Sequence, residues 1–267
     1  MSIQTSTPTL DVSSTTPIPF SRLVAVELRK SYNTAAAFWL LGAIVIIVAL
    51  AEGILTAIAA VQGGAVTWGD FIGVAAFLTS FLLPVLGIML VTAEWGQRTA
   101  MVTFALEPQR SKVILAKLVV GLVLAVATAL VAIVIGAGCT LICEIFQSET
   151  TTWDFGMEYF VGFVVTQMLA MVGGFALAAL LLNTPAAIVL FFVYYWVLPI
   201  ILAVGAELID WFADIAGYLN LREAQGPITD LSLSGGEEWA KLIVSSLIWI
   251  VLPIVLGMMR ILRAEVK

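Results

Sequence analysis

The sequence predicts an all-α polytopic membrane protein with six transmembrane helices and both termini on the cytoplasmic side. Three observations lead there. The chain is 61% hydrophobic and only 11% charged, where a soluble domain carries about 25% charged residues. Six apolar runs are each long enough to cross a bilayer, which takes about 20 residues. Lysine and arginine are distributed unequally between the breaks that separate these runs.

The six runs are Ala35–Val61, Phe71–Val91, Val113–Cys143, Tyr159–Leu182, Ala186–Ala206 and Trp239–Met259. Lipid offers no partner to a backbone N–H or C=O, so each run is expected to be a helix. The third is too long for one perpendicular crossing, and is expected to tilt or to extend beyond the bilayer. Gly63-Gly64 ends the first run and Glu107-Pro108 precedes the third. In Asn183-Thr184-Pro185, Thr184 is placed to cap a helix with Pro185 at its first position. Gly173-Gly174 marks close helix contact, and Pro84, Pro199 and Pro253 mark kinks.

Before the first run, residues 1–19 carry twelve Ser, Thr or Pro and a single charge, Asp11. They read as a disordered tail with neither the basic nor the apolar region of a signal peptide. The rest, 20–267, reads as one transmembrane domain. Phe20–Tyr32 sets Arg22, Glu27, Arg29 and Lys30 among Phe20, Leu23, Val24 and Leu28. That pattern suits a short helix along the cytoplasmic interface, and equally an ordinary basic flank.

Placing both termini inside puts ten of the twelve basic residues on the cytoplasmic side and leaves only Arg222 and Lys241 outside, the asymmetry that orients membrane proteins. Most of the acids, twelve of eighteen, then face outward. A net charge of −6 argues against a nucleic-acid partner, which would want a basic face. The absence of histidine removes His-based triads, His-ligated metals and haem, and no metal site is expected. Cys139 and Cys143, four apart in one apolar run, read as packing residues.

The longest charged interruption in the first half is Glu94–Lys117. It holds Glu94, Arg98, Glu107, Arg110, Lys112 and Lys117. Residues 94–106 contain good helix formers and mix Met101, Val102, Phe104 and Leu106 with Glu94, Gln97 and Arg98. Such a mixture suits docking into a cleft, with apolar anchors and with Glu94 and Arg98, at i and i+4, pairing together or with a partner's charges. Anchoring at lipid headgroups is the alternative.

Six spans, a basic lead-in, and a second-to-third loop reading Glu94-Trp95-Gly96-Gln97-Arg98-Thr99, then Glu107-Pro108-Gln109-Arg110, then Lys117 resemble the ABC-2 type permeases of ATP-binding-cassette exporters. In that family the loop commonly carries Glu, a basic residue and Thr, then Pro, an Arg, and a Lys opening the next helix. The resemblance covers nearly the whole chain after residue 19. It implies a coupling helix here, with Glu94, Arg98, Thr99, Met101, Phe104, Glu107 and Arg110 meeting a separate ATPase subunit in two copies. It also implies a second permease, identical or homologous, with ATP and Mg held by the ATPase and no cofactor or covalent chemistry on this chain. The outer loop carries more acid than the family requires, so the resemblance does not supply the substrate.

Leu233-Ser234-Gly235-Gly236-Glu237 matches the signature of an ABC ATPase by chance: no GxxxxGK[ST] segment accompanies it, and the orientation puts it outside. Its residues read instead as a cap for the sixth span, with Glu237 and Glu238 near the positive helix end. In Gly205–Glu238, the acids Glu207, Asp210 and Asp214 recur at i, i+3 and i+7. One helix would line them along a face and leave Leu208, Ile209, Trp211, Phe212 and Ile215 to lipid or protein. A re-entrant or interfacial helix is expected, and the family resemblance implies a cap over the exit of the pathway.

Glu52 is an ionisable residue inside a span, a functional candidate by default. It sits roughly 25 Å from Ala35 at about 1.5 Å per residue. It either serves the pathway or reaches the outer interface or a neighbour such as Gln62 or Gln167. Tyr194, Tyr195 and Trp196 either line the path of an amphipathic substrate or pack against lipid and core.

The expected function is therefore a permease subunit of an ATP-driven exporter in the cytoplasmic membrane, moving an antibiotic, peptide or lipid. The alternatives are an ion-coupled transporter or channel that uses Glu52, and a membrane protein that only binds and sequesters a toxic ligand.

Overall fold

A computed structural model describes residues 18–146, 151–153 and 156–263; the tail 1–17, Glu149 and Asp154 lie outside them. The architecture is all-α, with six helical segments long and apolar enough to cross a membrane. The first is α2 (Ala35–Gln62), preceded by α1 (Phe20–Asn33). Then come α3 (Trp68–Gly96), the short α4 (Ala100–Leu106), α5 (Arg110–Phe146) and α6 (Met157–Leu181). The fifth segment joins α7 (Thr184–Phe192), a π-helical turn (Val193–Val197) and α8 (Leu198–Leu208). After α9 (Asp210–Leu219), α10 (Leu221–Ala224) and a 3₁₀ turn (Gly226–Ile228), the sixth joins α11 (Gly236–Ser246), a second π turn (Leu247–Val251) and α12 (Leu252–Arg263).

The predicted spans are present and run a few residues longer, because polar residues continue each helix past its apolar stretch. At about 1.5 Å per residue the 37 residues of α5 span roughly 55 Å, well beyond a hydrocarbon core of about 30 Å. Two short strands, β1 (Val66–Thr67) and β2 (Thr151–Thr152), pair in parallel and tie the two connections at the end opposite α4. Gly63, at φ 66°, ends α2 in the left-handed conformation that glycine adopts without strain.

α3 and α6 form the centre of the bundle, and α2, α7–α8 and α11–α12 expose broad apolar faces around them. Small residues permit the central approach. A Cβ on Gly174 would collide with the Pro84 backbone, and one on Gly87 would come within 2.6 Å of the Met171 carbonyl oxygen. These contacts bring Pro84 of α3 against α6. Arg260 Nη1 donates to the Leu180 carbonyl at 2.6 Å, tying the last helix to α6.

Both π turns precede a Leu-Pro pair, Leu198-Pro199 and Leu252-Pro253. Proline has no N–H to donate and its ring crowds the carbonyl four residues back. Widening the turn to i→i+5 accommodates both effects. The two turns face each other, with Tyr194 stacked on Trp249 at 4.8 Å and 8°.

Two expected details are corrected. Asn183, not Thr184, caps α7: its Oδ1 accepts the Ala186 N–H at 3.0 Å, while Thr184 donates to Thr92 Oγ1 at 2.8 Å. The acidic stripe is split, since Ile209 adopts an extended conformation between α8 and α9. Glu207 therefore stands apart from Asp210 and Asp214, and all three are exposed.

Candidate functional site

Four charged side chains from three helices converge at the end of the bundle where basic residues collect. α1 contributes Glu27 and Lys30, one turn apart. Glu94 stands two residues before the end of α3, and Lys117 stands two turns into α5. Lys117 Nζ donates to Glu27 Oε2 at 2.6 Å and lies 3.2 Å from Glu94 Oε1. Lys30 Nζ donates to Glu27 Oε1 and to Glu94 Oε1, both at 2.7 Å. The Thr103 hydroxyl of α4 adds a bond to Glu94 Oε1 at 3.2 Å. Two acids and two bases neutralise one another, which is what allows Glu27 and Lys117, 4% and 3% exposed, to be buried as ions. Burial alone would draw the Lys30 pKa down, but the hydrogen bonds to both carboxylates outweigh it and hold the ammonium above its ordinary value.

This cluster joins α1, α3, α4 and α5 around the segment expected to couple. α3 stops at Gly96, and Arg98 turns the chain at φ 57°. Glu94 and Arg98 therefore do not share a continuous helix, and Glu94 faces the two lysines instead. Arg98 and Thr99 are exposed. Phe104, expected as an anchor for a partner, is buried beside Trp95 under the Arg110 guanidinium, 5.0 Å above its ring. Arg110 Nη1 also donates to the Ile261 carbonyl at 2.7 Å, fixing the loop to α12. Glu107 is buried and accepts the Gln109 N–H at 3.1 Å. The outward apolar side chains of α4 are Met101, Val102 and Leu106.

Glu52 is fully buried, and neither carboxylate oxygen has a hydrogen-bond partner. Gln167 Oε1 is likewise unpartnered and Gln62 is exposed, so neither expected neighbour meets it. The carboxyl does not reach the protein surface. It sits between apolar clusters containing Val48 on one side and Leu55 and Ala59 on the other. Cys139 and Cys143 are buried free thiols.

Tyr194 and Tyr195 are buried in the core. Tyr195 hydroxyl meets Gln225 Oε1 at 3.3 Å, and Trp249 Nε1 donates to the Leu219 carbonyl at 2.8 Å, so both π turns hold the loop between the last two spans. Trp196 is half-buried, stacked on Phe81 at 4.1 Å with the Arg222 guanidinium 3.7 Å from its ring centroid.

Sequence reasoning missed Glu27 and Lys30 as site residues and placed Lys117 in the loop motif without giving it a partner within the chain. The available signal was an acid and a base standing among apolar residues at two distant places, each in need of a partner. The chain matches no protein-family model and no curated protein.

Proposed function

We propose that the chain is the permease subunit of an ATP-driven exporter of the ABC-2 type, moving an amphipathic compound out of the cytoplasm or inner leaflet. In this reading both termini are cytoplasmic, the loop around α9 and α10 lies outside, and two permeases form the pathway. ATP is bound and hydrolysed on a partner ATPase.

The observation that carries the reading is α4. A seven-residue helix presents Met101, Val102 and Leu106 outward, while Thr103 bonds Glu94 of α3 and Phe104 packs beside Trp95 of α3 and under Arg110 of α5. The support is the joint presence of an outward apolar face and inward contacts to α3 and α5, together with the loop residues on which the family resemblance rests. The test is affinity purification of the tagged full-length chain from its own host in mild detergent. A P-loop ATPase and ATP hydrolysis are expected to co-purify; a chain that purifies alone and transports in proteoliposomes without ATP overturns the reading.

Glu52 favours a second reading, an ion-coupled transporter, because an unpaired carboxyl in a buried position is what a coupling ion would use. Transport driven by an imposed ion gradient with no ATPase present would select it.

A further inference from the structure

A cavity of about 560 Å³ opens beside the charge cluster, a size typical of small-molecule pockets. Its inner wall is apolar, formed by Leu86, Met89 and Leu90 of α3 with the start of α2. Its rim reaches the surface at Ala36, Gly96, Gln97 and Val102. The cavity is therefore amphipathic: Leu86, Met89 and Leu90 line one part of it, and Glu27, Lys30, Glu94 and Lys117 line another.

The charges decide what suits it. Glu27 spends one oxygen on each lysine, and Glu94 Oε1 receives Lys30, Lys117 and Thr103. The Lys117 side chain is 4% exposed, whereas that of Lys30 is 40% exposed, so Lys30 is the member of this balanced cluster that the mouth reaches. Arg98, between the lining residues Gln97 and Thr99, is exposed, as are Arg22 and Arg29 of α1, while Glu27 and Glu107 are buried and the Glu94 side chain is only 12% exposed. This end thus shows cations and hides its carboxylates among the described residues.

We infer that this cavity binds an anionic membrane lipid, with its headgroup beside Lys30 and its alkyl chain along Leu86, Met89 and Leu90. Basic pockets between membrane helices recognise such headgroups, and the apolar wall supplies the chain site that a soluble anion would not use. The inference rests on the membrane-spanning reading and not on an ATPase partner.

The full-length chain would be placed in nanodiscs containing phosphatidylglycerol or phosphatidylcholine with a photoreactive diazirine at the chain end, and the labelled residues mapped. Label is expected at positions 86–90, with phosphatidylglycerol exceeding phosphatidylcholine about fivefold, the factor that one cation near an anionic surface is worth. Lys30→Gln brings that ratio to about one. Lys30→Arg keeps the preference, and Met89→Trp, which fills the cavity, removes the label. Equal labelling by both lipids in the parent, or label confined to outward residues such as Ile46 and Leu50, overturns the inference.

Discussion

Lys117 on α5 and Glu27 on α1, ninety residues apart in the chain, meet at 2.6 Å in a site where both are almost wholly buried. A buried ion that loses its partner keeps its desolvation cost, so one substitution here is expensive, by about 3–5 kcal/mol. Lys117→Met leaves Glu27 with Lys30 as its remaining ion partner and lowers the unfolding midpoint sharply. Adding Glu27→Gln to Lys117→Met recovers part of the loss, giving a coupling of about 1–3 kcal/mol in a double-mutant cycle. Additive losses would mean that the two side chains are stabilised independently.

Lys30 gives a pH signature. Its pKa is raised above the ordinary 10.5, so its stabilising contribution is fully present below that value. It is lost only as the pH rises through the higher folded value. The stability difference between the parent and Lys30→Gln is expected to stay flat through neutral pH and to shrink in the alkaline range. A difference that disappears near neutrality contradicts the ion-pair account.

Glu52 is expected to trade stability for function. Its carboxyl is buried with no partner for either oxygen, a cost of about 1–3 kcal/mol. Glu52→Leu is expected to raise the unfolding midpoint in detergent and to reduce transport, with Glu52→Gln intermediate in both. Transport at the parental level in both variants would make the residue dispensable.

The orientation is tested by Ser232→Cys. Ser232 is exposed in the loop before α11, and both native cysteines are buried, so an impermeant maleimide added to intact cells is expected to label only the new thiol. Labelling that appears only after permeabilisation reverses the topology.

The spans were legible because length and apolar composition are local properties of each run. Gly63 and Gly174 were legible for the same reason, since each announces its turn or contact where it stands. The charge cluster was not, because it depends on which helices become neighbours: Lys30 and Glu94 are 64 residues apart and Lys117 and Glu27 are 90 apart. The break at Ile209 was hidden by the regular spacing of Glu207, Asp210 and Asp214. The π turns were signalled only by Pro199 and Pro253, which mark a kink without specifying its form. Phe104 was read as an outward anchor because it lies among Met101, Val102 and Leu106; packing under Arg110 and beside Trp95 turns it inward.

The central claim is that α4 receives force from an ATPase. Since Phe104→Ala would also disturb the core, the direct test uses the outward residue Leu106, 72% exposed. In the complex purified from its host and reconstituted in liposomes, Leu106→Glu is expected to leave ATP binding intact while transport-coupled ATP hydrolysis falls about tenfold or more, as for loss of an interface hot spot. A Leu106→Glu complex that assembles with the ATPase and hydrolyses and transports at the parental rate would contradict the assignment of α4 as the coupling element.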